Sequence, residues 1–432
     1  MKFTLVSIGV SLFTSLLFGT ATHMLRVDDA VTLALQHSPD INKSMLNIES
    51  SKEKSRFEKG YYLPNLNFTL TAGKSNLNIS GIDLDGSGMV GKISASQLLY
   101  DFGKTTGRID ASKLDVKAEE ARLKRTIAKK ILDVKVRYYN LLKAKSIIDV
   151  NEKDIALQKE QLRRAKRYFE SGIRTLIDVT DAKVRLTQAR LTLNNSRYDL
   201  KLKRALLEQT LGVTPYEGDY ELIYKERDWF EKDVEKALPH VDDSLESLTK
   251  FAYMHRHELF VLNYKTASAK ERVRSAQGEF YPSMYLKADY SRVETDENKP
   301  TLHLDNVWDA GVVLSWNLFK GFQSEATVEN AKIERLRLQV EQKRLRLKIK
   351  REVIQSYLEV QRSKDAITLS KEVVNASLQK FQQAQKRYEH GLSDYIELQD
   401  ARQGYIRSLS DLVVAYYGYF IALARLDFVT GK

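Results

Sequence analysis

The chain has 432 residues, with ordinary shares of hydrophobic (43%) and charged (29%) residues, a formal net charge of +12 and no cysteine. Such a composition excludes bulk disorder, and the lack of cysteine excludes disulfides, thiolate metal sites, a cysteine nucleophile and a lipidated N-terminal cysteine. The positive charge suits nucleic-acid binding, but its strongest run, Glu334–Arg351, is equally typical of the solvated face of a long helix.

Residues 1–21 predict a cleaved secretory signal peptide. Lys2 precedes an apolar run from Phe3 to Phe18, and the small residues Gly19–Ala21 follow it. The run is shorter than the roughly 20 residues that a transmembrane helix needs, and no other segment offers such a run. We therefore expect an exported protein that does not meet nucleic acid and that crosses any membrane without transmembrane helices.

The elements of the first half follow one another in a clear order. Helical composition from Val27 onward ends at Pro64, and then Leu66, Phe68 and Leu70 alternate with polar residues, which predicts a strand. A Gly- and Asp-rich loop and a second strand, Val90–Tyr100, complete a hairpin. The next segment, 108–171, contains neither Gly nor Pro, so it predicts a helix about 100 Å long. Such a helix needs partners along its length, and two half-length helices stacked end to end would supply one.

The second half repeats this order at an offset of 219 residues, so that Gly172 falls on Gly391 and Asp181 on Asp400. The segment between the halves, with Pro215 and Pro239, reads as a linker. The predicted organisation is a signal peptide (1–21), a first repeat (22–212), a linker or equatorial segment (213–246) and a second repeat (247–432). The first repeat, which begins with a helix, has a hairpin at about 65–100, a long helix at about 104–170 and a half-length helix at about 176–211. The second repeat begins in the same way and has a hairpin at about 283–318, a long helix at about 322–389 and a half-length helix at about 395–429.

The four predicted strands have the length and alternation of membrane-spanning β-strands, about 9–11 residues each. Four strands cannot close a barrel, and an open edge is not tolerated in lipid, so several copies must pool their strands. Because eight-stranded barrels are filled by side chains, a conducting pore favours a homotrimer with twelve strands, four per protomer. The helices would continue this barrel as a tube. A soluble β-sandwich would need more strands, and an exported coiled-coil scaffold or adhesin would explain the helices but not the strand pattern.

Several segments together resemble one family, the TolC-like outer-membrane factors of Gram-negative bacteria. They are the opening VDDAVTLALQHSPDI, the helix-to-strand junctions at Pro64 and Pro282, LLYDFGKTTGRIDASK and WNLFKGFQSEATVENA after the hairpins, and the two glycine turns FESGIRTLIDVTDAKV and YEHGLSDYIELQDARQ. The resemblance implies a mainly α fold with a membrane β-barrel, in which a trimeric twelve-stranded barrel in the outer membrane is continued by an α-helical periplasmic tunnel. It also implies a periplasmic adaptor and an inner-membrane transporter of the RND or ABC type as partners. The chain would be the exit duct of an efflux pump or a type I secretion system, with the cargo left open.

The resemblance places the two glycine turns at the periplasmic tip, where the tunnel closes and the adaptor docks. The implied docking residues are Gly172, Ile173, Arg174, Gly391, Leu392 and Ser393. The implied acidic ring at the constriction comprises Asp178, Asp181, Glu397 and Asp400, and Asp178 with Tyr388 forms a candidate latch. The arginine usual in the second turn is Ser393 here, whereas Arg174 stands in the first turn. Carboxylates in a narrow ring would repel one another and attract cations, but acids in a first helical turn also simply favour the helix dipole.

Three other motifs carry no function. Gly86–Gly91 spells a dinucleotide-binding fingerprint but opens no helix. Asp83 and Asp85 lack the downstream acid of a calcium loop, since Ser94 stands there. The sequence His255-Arg256-His257 lacks zinc-ligand spacing. We expect no cofactor, no metal and no enzymatic activity.

Overall fold

A computed structural model describes residues 23–79, 82–215, 220–222, 238–295 and 306–432. The predicted signal peptide and part of the predicted linker lie outside the described residues. The chain divides into two compact units, and each draws on both sequence repeats. The sheet unit comprises the described parts of Ser38–Asp133, Glu235–Leu369 and Gly418–Lys432, and the turn unit those of Met1–His37, Val134–Val234 and Ser370–Tyr417.

The helices and strands follow the two repeats closely. The long helices α3 (Lys104–Glu170) and α7 (Gln323–Glu389) have 67 residues each, and the half-length helices α4 (Leu176–Leu211) and α8 (Tyr395–Thr430) have 36 each. The remaining helices are α1 (Val27–His37), α2 (Pro39–Gly60), α5 (Leu245–His255) and α6 (His257–Gln277), and the two short strands β1 (His23–Leu25) and β4 (Tyr220–Leu222) pair in parallel.

The sheet unit contains a four-stranded antiparallel sheet in the order β2-β3-β5-β6. Its strands are β2 (Asn65–Ile79), β3 (Ile82–Tyr100), β5 (Ser283–Thr295) and β6 (Asn306–Ser315). The expectation of a Gly- and Asp-rich loop before Val90 is wrong, because this segment is part of β3 and pairs with β2, for example Gly86 with Ser75. A hairpin ladder is made by backbone groups, so it continues through residues with poor strand propensity.

In the sheet unit, α3 approaches the C-terminal end of α6 closely because two glycines lie at the contact, Gly107 within α3 and Gly278 directly after α6. A Cβ on Gly107 would lie 2.9 Å from the Glu271 carbonyl oxygen, and one on Gly278 would lie 2.8 Å from the Lys104 nitrogen. Hydrogen bonds tie the other neighbours together, from Ser44 of α2 to α3 and from Gln342 of α7 to α6. The ends of the strands are thus held by directly packed helices.

Arg256 occupies the break between α5 and α6 and is buried in the sheet unit. It donates to both carboxylate oxygens of Glu258 at 3.0 Å, to Glu352 of α7 at 2.9 Å and to the Val429 carbonyl of α8 at 3.2 Å. The guanidinium therefore fixes three helices around the break. Its flanking histidines end α5 and begin α6, and among the described residues no group of three or more His, Asp or Glu is arranged to hold a metal.

The core of the turn unit is a seam between the long and half-length helices. Val134, Tyr138 and Leu141 of α3 are buried, and so are Leu398 and Leu409 of α8. Among the described helices, α8 is long and apolar enough to cross a membrane, contrary to the expectation that no second such run exists, but half of its apolar window is buried inside the chain. Packing within the protein accounts for its composition, as in the core helices of soluble proteins.

Candidate functional site

The two prolines expected at helix-to-strand junctions immediately precede β2 and β5. Pro64 is followed by Asn65 and Pro282 by Ser283, the first residues of these strands. Proline has no backbone N–H for a helix and holds the preceding residue in an extended conformation, so it ends the helix and starts the strand. The same device therefore sets where both hairpins begin.

The strand-to-helix junctions use two successive residues with positive φ. Phe102 and Gly103 have φ of 52° and 94°, and Gly321 and Phe322, at the equivalent positions, have 57° and 63°. A non-glycine residue rarely adopts this left-handed region. Each repeat thus places one phenylalanine in a strained conformation, in opposite order, to turn the chain from the sheet into a long helix.

The sheet has one apolar and one polar face. The register places Phe68 opposite Ile93, Ile93 opposite Tyr290 and Tyr290 opposite Trp308, so these four side chains share a face. Most neighbouring positions on this face are also apolar, and polar exceptions include Gln97, Arg292 and Asn306. The exposed apolar side chains are Leu66, Leu70, Met89, Leu286, Val312 and Leu314. An exposed apolar face of this extent on a sheet marks contact with a membrane or a partner.

The opposite face carries polar and charged side chains. Its central row runs Asn67, Ser94, Asp289 and Asp309 across the four strands. Lys92, one row away on β3, forms an ion pair with Asp289 at 3.2 Å. The face therefore suits water, as the inner wall of an aqueous pore does.

Both edges of this sheet are open within the chain. Strand β2 pairs with β3 on one side and β6 pairs with β5 on one side, and neither has a second partner among the described residues. Unpaired backbone groups on an edge are costly in lipid and must be satisfied by another strand. The sheet is thus a fragment of a larger closed structure if its apolar face meets lipid.

The turn unit carries the two glycine turns. Gly172 and Gly391 have φ of 70° and 72°, and a Cβ on either would meet no atom within 4 Å. After each glycine, the backbone N–H of the next residue donates a 2.8 Å hydrogen bond to a carbonyl of the long helix. Ile173 donates to Tyr168, and Leu392 donates to Arg387. Both glycines are therefore required because the backbone that ends each long helix is left-handed, and not because a larger side chain would collide with a neighbour.

The four acids after the turns fall into two groups. Glu397 forms an ion pair with Arg387 at 3.1 Å, and Asp400 forms one with Lys380 at 3.0 Å. Asp178 is half-buried and Asp181 is exposed, and neither forms an ion pair within the described part of the chain. A single chain therefore partly compensates the charge of the second pair of acids and not that of the first.

Arg174 connects the two turns. Its guanidinium donates to the Ser393 carbonyl oxygen at 3.1 Å and lies 4.8 Å from the centre of the Tyr388 ring. The arginine of the first turn thus contacts the backbone of the very residue that lacks an arginine in the second turn. In the sequence, these two positions stood out because they depart from the family pattern, and in the structure they are in contact.

Tyr388 is buried between Tyr168 and Tyr395, with ring centroids at 6.3 Å and 5.9 Å. Its hydroxyl has no hydrogen-bond partner in the described part of the chain, so the expected bond to Asp178 is not formed within one copy. Burial raises the pKa of Tyr388, and the nearby Asp178 carboxylate raises it further. The hydroxyl therefore remains protonated and able to donate.

Sequence reasoning missed a buried ion pair behind the second turn. Arg402 of α8 pairs with Asp154 of α3 and donates to Gln399 at 3.0 Å, and a rotated Gln158 amide accepts from the same guanidinium. Burial raises the pKa of Asp154, and Arg402 opposes this shift. Both glycine-turn segments contain an Asp-Ala-basic triplet, which ends in Lys183 in the first repeat and in Arg402 in the second. This repeated basic position was a usable signal for Arg402, although Lys183 itself is exposed, but nothing marked Asp154 within its long helix.

Comparison with known proteins gives a consistent result. The family described as "Outer membrane efflux protein" matches residues 30–213 and 251–432. The outer membrane efflux protein BepC of Brucella suis is 22% identical over 344 residues, which cover 78% of this chain and 70% of BepC. Outer membrane protein TolC of Salmonella enteritidis is 23% identical over 197 residues, 43% of this chain and 40% of TolC.

Solved structures share the fold. CusC, described as a protein that forms a transmembrane channel, superposes with a TM-score of 0.83 at 17% identity over 96% of this chain and 95% of CusC. The outer membrane protein VceC of Vibrio cholerae superposes with a TM-score of 0.79 at 16% identity, over 94% of this chain and 96% of VceC. At these identities the likeness concerns the course of the backbone and not individual side chains.

Proposed function

The chain belongs to the outer membrane efflux protein family, and from this premise we propose that three copies form a passive exit duct for cargo across the outer membrane. Members of this family are channel proteins that work as trimers in tripartite pumps, with the barrel in the outer membrane and the helical part in the periplasm. The adaptor and the inner-membrane transporter, of the RND or ABC type, are the proposed partners, and the sequence 1–21 is the proposed export signal.

The sheet carries this proposal. It has an exposed apolar face, a polar face with the Lys92–Asp289 pair, and two open edges, β2 and β6. Three such sheets joined edge to edge give twelve strands, which satisfy every edge and leave an aqueous lumen. An exported coiled-coil scaffold would have no use for an apolar sheet face, so the alternative is not favoured.

The two glycine turns form the proposed gate and docking rim. Arg174 holds the turns of one copy together, and the unbonded Tyr388 hydroxyl is available to the half-buried Asp178 after a small movement or across a copy boundary. Since Glu397 and Asp400 are partly compensated by basic neighbours, we assign the larger share of the ring's negative charge to Asp178 and Asp181. Three copies of these carboxylates would attract cations and repel one another.

Conductance of the purified full chain in planar lipid bilayers tests both parts. We expect discrete channel openings from a trimer and none from a monomer. Asn in place of Asp178 and Asp181 should reduce cation preference and divalent-cation block more than Gln and Asn in place of Glu397 and Asp400. A conducting trimer with equal effects from both pairs would overturn this assignment of the ring, and a trimer that never conducts would overturn the channel.

A further inference from the structure

A cavity of about 690 Å³ lies where the sheet meets the helices. It is lined by aromatic and charged residues: Phe102, Tyr281, Arg274, Glu325, Glu329 and Lys332. We call it the junction cavity. All of its residues belong to the sheet unit.

The strand register places the junction cavity on the apolar side of the sheet. After an irregularity at the end of β3, Tyr100 pairs with Met284, which shares the apolar face. The Tyr100 ring contacts Phe102 edge-on at 4.8 Å, and Phe102 stacks on Tyr281 at 5.2 Å. Two cavity-lining rings are therefore continuous with the face that meets lipid.

The end of the edge strand β6 gives the same placement. Trp316 follows β6 directly, two residues after Leu314 of the apolar face, and its indole N–H donates at 3.1 Å to the carbonyl of Phe280, which lines the cavity. The side chains of Leu318 and Phe319, which follow, are 78% and 72% exposed. Aromatic residues with a polar handle at the end of an apolar band are typical of the membrane–water interface.

The charged wall of the cavity is balanced. Arg274 pairs with Asp110 at 2.9 Å and with Glu271 at 3.0 Å, and Lys332 pairs with Glu329 at 2.7 Å. Counting only residues that line the cavity, two cations face two carboxylates, of which Glu325 lies in the first turn of α7. A wall without net charge does not favour an anionic lipid over a zwitterionic one, whereas both signs at one place match a headgroup that carries both.

We propose that the junction cavity binds the headgroup of a zwitterionic phospholipid with a primary ammonium group, that is, a phosphatidylethanolamine. Arg274 and Lys332 face its phosphate, and Glu325 and Glu329 accept hydrogen bonds from its ammonium. A choline headgroup offers no N–H to these carboxylates, and Phe102 and Tyr281 cover each other's ring faces by stacking, so they do not form an open cage for choline. The acyl chains then lie against the apolar face of the sheet.

This inference rests on the proposed function, because it requires the sheet to be in a membrane. Native mass spectrometry of the delipidated full-length protein, supplied with equal amounts of phosphatidylethanolamine, phosphatidylglycerol and phosphatidylcholine, tests it. We expect the trimer to retain phosphatidylethanolamine about fivefold over each of the others, the factor expected for one partly exposed charge pair. The double variant Glu325→Gln/Glu329→Gln should lose the preference for phosphatidylethanolamine over phosphatidylcholine. Because Arg274 and Lys332 are then the charged residues left in the lining, it should retain phosphatidylglycerol best.

A matched control is the double variant Glu341→Gln/Glu359→Gln, which removes two carboxylates from the same helix, each paired with an arginine three residues on, and which should keep the preference. Equal retention of the three lipids by the unaltered protein, a preference for phosphatidylcholine, or an undiminished preference in the Glu325→Gln/Glu329→Gln variant overturns the lipid site. If a neighbouring copy covers the cavity in the trimer, no lipid is retained, and this also overturns the site. A trimer that conducts but shows no lipid preference contradicts the lipid site and not the channel. A protein that forms no conducting trimer contradicts the proposed function itself.

Discussion

Arg174 is the residue that most directly couples the two turns of one chain. We predict that Arg174→Ala removes its hydrogen bond to the Ser393 carbonyl and its contact with the Tyr388 ring, and shifts the gate roughly tenfold toward open states. Spontaneous openings in planar bilayers measure this shift. Arg163→Ala serves as the control, since the ion pair that Arg163 forms in the described part of the chain is an exposed one with Glu160 of the same helix. Unchanged opening in Arg174→Ala would contradict the coupling.

Arg402 and Asp154 form the buried counterpart of this link, between α8 and α3. Replacing Arg402 by Met leaves the Asp154 carboxylate, whose side chain is 16% exposed, without its partner, so we expect a loss of about 3 kcal/mol of stability. The double variant Arg402→Met/Asp154→Leu should regain most of it. Thermal unfolding followed by circular dichroism of the single and double variants gives the comparison. If the double variant is no more stable than the less stable of the two single variants, Arg402→Met and Asp154→Leu, the loss does not come mainly from breaking the ion pair.

Single residues were the hardest part to predict from the sequence. The repeat aligned Gly172 with Gly391, and their left-handed backbone follows from their position after a long helix. Arg174 and Ser393 were visible only as a departure from the family pattern, because sequence spacing does not say which side chain crosses to the other turn. Asp154 could not be found, since a lone acid in a 67-residue helix reads as part of its solvated face until the helix packing is known.

At the scale of elements, each half-length helix ends against the start of its own repeat. Gly212 ends α4 with φ 79°, and a Cβ there would lie 2.5 Å from the His37 carbonyl oxygen. We predict that Gly212→Ala costs at least about 2 kcal/mol, from backbone strain and from the clash with α1. Thermal unfolding measures this. Gly404→Ala, within α8 and with open space around it, should instead stabilise by about 0.5–1 kcal/mol; equal effects at both sites would contradict the account.

The Arg256 cluster at the break between α5 and α6 predicts a pH dependence. Burial acts to raise the pKa of Glu258, but Arg256 and Arg125 outweigh it and hold the pKa below the ordinary 4.5. A carboxyl with a lowered pKa in the folded state stabilises above its ordinary pKa, and this stabilisation is lost as the pH falls through the folded-state pKa. Unfolding temperatures should therefore fall below about pH 4.5 less steeply in Glu258→Gln than in the unaltered protein.

The control for this experiment is Glu246→Gln, because Glu246 is 80% exposed in its pair with Lys250. Its pH profile should follow that of the unaltered protein. Parallel profiles for Glu258→Gln and the unaltered protein would show that Glu258 contributes nothing to acid sensitivity.

The elements themselves were largely predictable. Long runs without Gly or Pro predicted α3 and α7, and period-two alternation predicted the strands. The strands were underestimated, because β2 and β3 extend to 15 and 19 residues through a segment whose Gly and Asp content suggests a loop. The backbone ladder of a hairpin depends on the neighbouring strand, which local composition does not report.

At the scale of the whole molecule, the sheet supplies four of the twelve strands of the proposed barrel. The strand alternation predicted which residues would share a face. The register confirms that the alternating apolar positions of the four strands lie on one face, as in the row of Phe68, Ile93, Tyr290 and Trp308, although the row of Leu70 also carries Arg292 and Asn306. The number of copies followed from barrel geometry alone and not from any residue, so the sequence pointed to the trimer by exclusion. Family membership supports the same assembly.

Disulfide cross-linking between copies tests the central claim most directly, because the chain has no cysteine of its own. Cys would replace Val312 on β6 and, in turn, Leu66, Phe68 or Leu70 on β2. Within one sheet these edge strands lie about 14 Å apart, too far for a disulfide. We predict that oxidation at one position of this series gives a covalent trimer that resists boiling in detergent without reductant; cross-linked dimers alone, or monomers at every position, would contradict a closed barrel of three copies.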